Sequence, residues 1–399
     1  MNIRKEIKIA IQNKKYKRID FLVTLSLIVL LIFSCIMVYS ASMIGNKYGM
    51  FTGGVQVSSN YFFKKQILWA ILSLLSYLFF SVIFPYRIFK EKKFYEIFAI
   101  FLAILLLLPF LQSSVNGAHS WIRIGGFTFQ PSTAAQIFVI AYMALMFESR
   151  RKILIRPTSL KNILHIFAIP LFIIFLIFIQ NDSGTMLITT TVVFVILLCS
   201  NMCFSNILKI LKISSISFLV LMFFLLLSSL FSGKSSYRVN RFKTFINPFS
   251  GNTISDNHIV NSLISFSNGG VFGRGLGNSI QKLGYLPEAH TDFILAVTAE
   301  ELGYIGVLFL ILLLLIVVLK VIYTGLKSHG TFESLFSLGF ASLLLIQIII
   351  NIGGVSASLP MTGVPIPFFS FGGSSMFILA TTLGVIMNIH SIIKLENNR

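Results

Sequence analysis

Ten stretches of about twenty apolar residues recur along the chain, at about 20–42, 62–84, 94–111, 129–147, 163–180, 185–203, 209–231, 293–323, 332–352 and 374–392. A helix rises about 1.5 Å per residue, so each run is long enough to cross the ~30 Å hydrocarbon layer of a bilayer, where backbone polar groups must be paired within the segment. The pattern predicts an all-α polytopic membrane protein with ten transmembrane helices and both termini on one side. With 56% hydrophobic and 11% charged residues the chain could not cover a water-facing surface, which excludes a secreted domain, a cytosolic enzyme and a disordered protein.

The net charge of +19, from 32 Lys and Arg against 13 Asp and Glu, would suggest nucleic acid in a soluble chain. Its distribution gives another meaning. The segments on the side of the termini carry 22 Lys and Arg, the short segments on the other side 4, and the long connection 232–292 another 6. Short cytoplasmic loops are the ones enriched in Lys and Arg, whereas long loops translocate largely regardless of charge, so both termini are expected in the cytoplasm. The basic residues then report topology and contact with membrane lipids, and no nucleic-acid partner is expected.

The expected organisation is a basic cytoplasmic tail at 1–19, transmembrane helices one to seven over 20–231, a large extracytoplasmic loop at 232–292, helices eight to ten over 293–392 and a cytoplasmic tail at 393–399. Basic residues precede the first run as in a signal peptide, and Ser40-Ala41-Ser42 is small enough to be cleaved. The run is too long for a signal h-region, so it reads as an uncleaved helix. Cys35, Cys199 and Cys203 fall in apolar runs and no Cys or His cluster has metal-ligand spacing, which leaves packing as their role.

The unusual residues gather on the outer side. Between the third and fourth runs lie Asn116 to Arg123, closed by Gln130-Pro131-Ser132; between the fifth and sixth lie Gln180-Asn181-Asp182-Ser183-Gly184-Thr185. Between the ninth and tenth, Gly363 to Ser375 contains Pro365, Pro367 and Ser374 and no charge. Proline and glycine at that density stop a helix, and the segment reads as a re-entrant or capping loop, or as a plain tight connection.

In the long loop, Arg238, Arg241 and Lys243 put three cations within six residues, a pattern of solvated charge that also suits a lipid phosphate or pyrophosphate. Residues 258–266 carry the apolar spacing of a short helix lying in the membrane interface. Gly269 to Gly277 is glycine-rich without a preceding strand or a Gly-Lys-Ser/Thr ending, so close backbone packing explains it better than a nucleotide site. Glu288, His290 and Asp292 then bring three titratable groups into five residues at the membrane border, where desolvation can raise a carboxyl pKa into the range of a general base. Glu300 and Glu301 follow inside the eighth run; ionisable groups there face a cavity or a partner, or form a structural pair.

Taken together, these segments resemble the SEDS family (shape, elongation, division and sporulation), ten-helix membrane proteins that polymerise lipid II into peptidoglycan glycan strands. Met37-Val38-Tyr39-Ser40-Ala41-Ser42 resembles the end of the family's first helix, Asn116-Gly117-Ala118 through Gln130-Pro131-Ser132 its second signature, and Asp182, Gly184 and Thr185 its third. The strongest stretches are Gly275 to Lys282 running into Leu286-Pro287-Glu288-Ala289-His290-Thr291-Asp292-Phe293, and Gly363 to Ser375. They are more similar to the cell-division branch than to the elongation branch. Thr133 and Gln136 stand where the family usually has Glu and Lys, Asn181 interrupts its Gln-Pro-Asp, and Asn247-Pro248 replaces its Asp-Pro.

The resemblance implies a peptidoglycan glycosyltransferase acting on lipid II and an undecaprenyl-pyrophosphate-linked glycan at the division septum, with Asp292 as the family's essential acid. Arg238, Arg241 and Lys243, or a divalent cation (Mg or Mn) held by Asp292 and a neighbouring acid, would neutralise the departing pyrophosphate; no cofactor is firmly implied. Lys282, Arg123 or Lys243 could replace the missing lysine, with Glu288, His290 and Asp182 as further substrate contacts and Glu300, Glu301, Gln130, Pro365, Pro367 and Ser374 in support. The implied partners are a class B penicillin-binding transpeptidase and other division proteins. A lipid II transporter and a non-catalytic division scaffold are the other readings, the second kept open by Thr133 and Gln136.

Overall fold

The computed structural model describes residues 19–52, 54–112, 118–124, 127–212, 245–246, 249 and 254–396. Its helices are α1 (Phe21–Lys47), α2 (Tyr61–Val82), α3 (Lys92–Leu107, prolonged by a 3-10 turn to Leu111), α4 (Pro131–Leu154), α5 (Leu160–Ile179), α6 (Ser183–Cys199), α7 (Ile254–Gly269), α8 (Ile294–Lys327), α9 (Thr331–Val355) and α10 (Ser374–Glu396). Among the described residues, seven helices are long and apolar enough to cross a membrane, namely α1, α2, α4, α5, α8, α9 and α10; Tyr95–Leu111 and α6 are shorter apolar helices. The chain is a polytopic helical membrane protein. Nine of the predicted runs coincide with described helices, while the seventh lies outside the described residues beyond 212.

Local chemistry sets several of the ends. Asp20 caps α1 by accepting from Val23 N at 3.1 Å, and its other oxygen meets Lys320 of α8 at 2.7 Å, which ties the first span to the eighth helix. Pro131 opens α4, where its missing N–H costs nothing, and Asp182 caps α6 through Thr185 N at 3.0 Å. At the same end of the bundle as Asp20, Lys90 bridges Glu148 of α4 at 3.0 Å and Glu333 of α9 at 2.8 Å.

Without a hydrophobic drive between helices in lipid, small residues let backbones approach. A Cβ on Gly384 of α10 would stand 2.6 Å from Tyr77 O of α2, so these two helices pack backbone to backbone. The lipid-facing sides expose large apolar residues such as Ile97, Leu171 and Leu319, while serine, threonine, asparagine and glutamine fill much of the interior.

Three features depart from the sequence expectation. Between α3 and α4 the chain forms a small antiparallel hairpin, β1 (Ile122–Ile124) with β2 (Phe127–Phe129), pairing Arg123 with Thr128. The short helix expected over 258–266 extends over all of α7, with one face docked inside the molecule. Ile259, Ser262 and Ser265 are buried, and the Ser262 hydroxyl donates to Val355 O at 2.7 Å. Finally, α8 is broken at Gly303 (φ 68°, ψ −172°), which divides it into a short arm, Ile294 to Leu302, and a long span.

Candidate active site

The break in α8 is repaired by the glycine-rich turn. Glu300 O and Glu301 O accept from Arg274 N and Gly275 N at 2.9 Å each, and Tyr304 N and Ile305 N donate to Gly270 O and Val271 O at 3.0 and 3.3 Å. A broken helix in an apolar setting survives where other backbone supplies partners, and here the turn does so. Such closeness requires glycine: a Cβ on Gly303 would be 2.3 Å from Val271 O, and one on Gly273 2.2 Å from Glu301 O. Close backbone packing is thus the turn's observed role.

The short arm is held at both ends. Near its C-terminal end Glu301 accepts from Ser40 of α1 at 2.7 Å and from Lys282 Nζ at 2.6 Å, with Glu301 fully buried and Lys282 1% exposed. Glu300, also fully buried, accepts from Ser279 Oγ at 2.5 Å and from Asn268 Nδ2, Ile280 N and Gln281 N at 3.2 Å each. Lys282 therefore departs from the expected role of an accessible cation for pyrophosphate: it is the internal counter-ion of Glu301.

The turn leading into the arm is equally organised. Glu288 has φ 55°, its carbonyl accepts from Thr291 N and Phe293 N, and its carboxylate accepts from the Thr291 hydroxyl at 2.9 Å. The His290 ring is packed among Phe62, Phe51 and Phe371, with centroids 4.4, 4.5 and 5.6 Å away, and burial pushes its pKa down to about 3. A neutral imidazole walled by phenyl rings corrects the expectation of a substrate contact. Its ring and its carbonyl, which accepts from Phe371 N at 3.0 Å, dock the turn onto the Gly363–Ser375 segment.

Asp292 follows at the arm's N-terminal end, where the helix dipole favours a carboxylate. It lines a cleft with Asn351, Gly354, Val355, Met361 and Thr362 to Val364. The far side of that wall, Gly363 to Phe368 with Pro365 and Pro367, closes a second cavity of about 40 Å³, room for roughly two or three waters. Gln130, Thr133, Gln136, Thr185, Gln347 and Ser375 give this cavity a polar, uncharged lining. Gln130 joins three elements: its N–H donates to Ser374 Oγ at 3.3 Å, its amide to Asp182 Oδ2 at 3.3 Å, and its amide oxygen accepts from Thr133 at 3.4 Å. Asp182 is accordingly a cap and a tie between α4 and α6.

Arg123 stands exposed on the β1–β2 hairpin, while Arg238, Arg241 and Lys243 lie outside the described residues. Ser40 is marked in the sequence only within the Met37–Ser42 stretch, with no role of its own, and Asn351 not at all; only their partners single them out. Among the described residues no group of three His, Cys, Asp or Glu side chains is placed to hold a metal ion, and the Glu288 carboxylate accepts from the Thr291 hydroxyl.

Comparison with known proteins bears on the family and the fold. The family model FTSW_RODA_SPOVE, described as a cell cycle protein, matches residues 20–394. The chain is 36% identical over 393 residues to the probable peptidoglycan glycosyltransferase FtsW of Bacillus subtilis strain 168, covering 97% of this chain and 94% of that one. It is 31% identical over 378 residues to stage V sporulation protein E of the same organism, covering 93% and 96%. Among solved structures it resembles a chain from work on structural coordination of polymerization and crosslinking by a peptidoglycan synthase complex (TM-score 0.69, 21% identity, 94% of this chain and 98% of that one). It also resembles the rod shape determining protein RodA of Thermus thermophilus (TM-score 0.61, 20% identity, 94% and 97%). At such identities the two structures speak to the fold.

Proposed function

Because the chain belongs to the FtsW/RodA/SpoVE family of cell cycle proteins, we propose that it is a peptidoglycan glycosyltransferase that polymerises lipid II into glycan strands at the outer face of the cytoplasmic membrane, in septal wall synthesis. In this reading an acceptor sugar hydroxyl attacks the anomeric carbon of the undecaprenyl-linked glycan. The new C–O bond forms as the bond to pyrophosphate breaks, the electron pair leaves with undecaprenyl pyrophosphate, and the hydroxyl proton passes to Asp292. The leaving group is already activated, so the protein's share is to place the two sugars, accept the proton and offset the charge on the departing pyrophosphate.

One observation carries the assignment of Asp292. Asp292 lines a cleft at the N-terminal tip of a helical arm whose other end is anchored by Glu300 and Glu301. Arg238, Arg241 and Lys243 are the cations proposed to offset the pyrophosphate. The partner is a class B penicillin-binding transpeptidase acting with other division proteins; the likeness to a chain from a peptidoglycan synthase complex supports a transpeptidase.

The test is polymerisation of lipid II by purified protein in liposomes with its cognate transpeptidase. Asp292→Asn keeps size and shape while removing basicity, and should lower the rate by ~10² to 10⁴-fold, the usual contribution of a general base. Polymerisation by Asp292→Asn at the parental rate would remove the base from the mechanism. An inactive parent would instead favour a scaffold. A transporter is disfavoured because the cleft and the unusual loop residues gather at one end of the bundle instead of at its midplane.

A further inference from the structure

Asn351 lies near the end of α9, 4% exposed, where it follows the apolar stretch Ile348 to Ile350. Its amide nitrogen makes two hydrogen bonds, donating to Asp292 O at 2.9 Å and to Val364 O at 2.7 Å. Carbonyl oxygens only accept, so this orientation of the amide is dictated by its partners. Asp292 belongs to the turn that opens the short arm of α8, and Val364 to the segment that separates the cleft from the polar cavity. A single amide nitrogen therefore joins two walls of the Asp292 cleft.

Neither wall can readily follow if that nitrogen is removed. On the Val364 side, a Cβ on Gly184 of α6 would come within 3.0 Å of Thr362 O and of the Val364 side chain, so the segment is already seated against the start of α6. On the Asp292 side, Thr291 N and Phe293 N bond to Glu288 O, and Glu301 anchors the far end of the arm to α1. Between these fixed points the remaining freedom is the separation across the cleft. His290, whose carbonyl accepts from Phe371 N at 3.0 Å, ties the turn to the later part of the segment, and the two bonds from Asn351 tie it at Asp292 and Val364 themselves.

We infer that Asn351 is a positioning residue for glycosyl transfer, its amide fixing the Asp292 backbone relative to the proline-bearing wall of the cleft, a role that stands on the reading of Asp292 as the base. Displacing a catalytic group by about 1 Å can cost ~10²-fold in rate without weakening substrate binding. Loss of the amide should therefore appear in kcat and leave KM largely unchanged.

The experiment uses the full chain in liposomes with lipid II and its cognate transpeptidase, comparing Asn351→Leu, Asn351→Asp and Asn351→Gln, each also measured by thermal melting. The Leu variant lacks any donor and the Asp variant has at most the single O–H of a protonated carboxyl in place of two N–H groups, so each should lose ~10- to 10²-fold in kcat with KM within about threefold of the parent. The Gln variant, which keeps a donor on a longer arm, should fall between. In an Asp292→Asn background, Asn351→Leu should leave the residual rate unchanged within about twofold, because a residue acting through Asp292 has nothing left to position.

Parental kcat in the folded Leu or Asp variant overturns the assignment, and so does an equal loss on adding Asn351→Leu to parent and to Asp292→Asn. Should the Leu variant fail to fold, the Asp and Gln variants decide by the same readings. An active Asp292→Asn would refute the base itself, whereas an inactive Asp292→Asn beside a fully active Asn351→Leu would refute only the positioning role.

Discussion

Lys282 and Glu301 show how far a residue's meaning depends on what surrounds it. In the sequence Lys282 is a cation in a polar loop beside titratable residues, and the pattern alone assigns it to solvent or to an anionic substrate. In the structure it is 1% exposed and bonded at 2.6 Å to a fully buried glutamate, with Ser40 accepting from Nζ at 2.9 Å. Burial of an isolated charge is far costlier than burial of a pair, so the two residues require one another. Lys282→Met should lower stability by ~3–5 kcal/mol because it strands the Glu301 carboxylate, and Glu301→Gln should do the same by stranding the ammonium. The double substitution should cost less than the sum of the two by ~1–3 kcal/mol. Thermal melting of the detergent-solubilised variants checks this; additive losses would mean that the pair is not an energetic unit.

The elements divide into those the sequence announces and those it conceals. Most apolar runs became helices within a few residues of the expected limits, because an apolar length of about twenty residues has no other stable form in lipid. The β1–β2 hairpin was hidden by the alternation of Ile122, Ile124, Phe127 and Phe129 beside an apolar run, and the docking of α7 by serines that serve as small packing residues. The break in α8 was hidden differently. Gly303, Gly306 and Gly325 all fall within α8, yet Gly303 alone of these has a positive φ, and its need for glycine comes from Val271, thirty-two positions away. Gly303→Ala should strain the backbone by ~1–3 kcal/mol and push a methyl group into Val271 O, so yield and melting temperature should fall sharply. Gly354→Ala in α9, whose Cβ would make an ordinary 3.6 Å contact, should be stable within ~1 kcal/mol. Equal tolerance of the two substitutions would show that the turn does not clamp the break.

At the scale of the whole molecule, the residues assigned to chemistry lie at one end of the bundle, and which side of the membrane that end faces decides which pool of lipid II it can reach. The Asp292 cleft, the proline segment and the β1–β2 hairpin share the end opposite Lys90, Glu148 and Glu333. The proposal that the Lys90 end is cytoplasmic and the Asp292 end outside rests on the bias of 22 Lys and Arg against 4 in the short segments. Ser58, between α1 and α2, and Ser159, between α4 and α5, are both exposed and lie at opposite ends, so a difference in labelling between them reports side and not burial. With Cys35, Cys199 and Cys203 replaced, Ser58→Cys should react with a membrane-impermeant maleimide added to intact cells, and Ser159→Cys should react only after permeabilisation. Because an odd or even number of crossings in the undescribed segment would not alter the side of α1 to α5, this pair reads the orientation of the N-terminal half by itself. Labelling of Ser159→Cys in intact cells would place the hairpin and the Gln130–Asp182 tie on the cytoplasmic face, where a polymerase drawing on lipid II from the outer leaflet could not work.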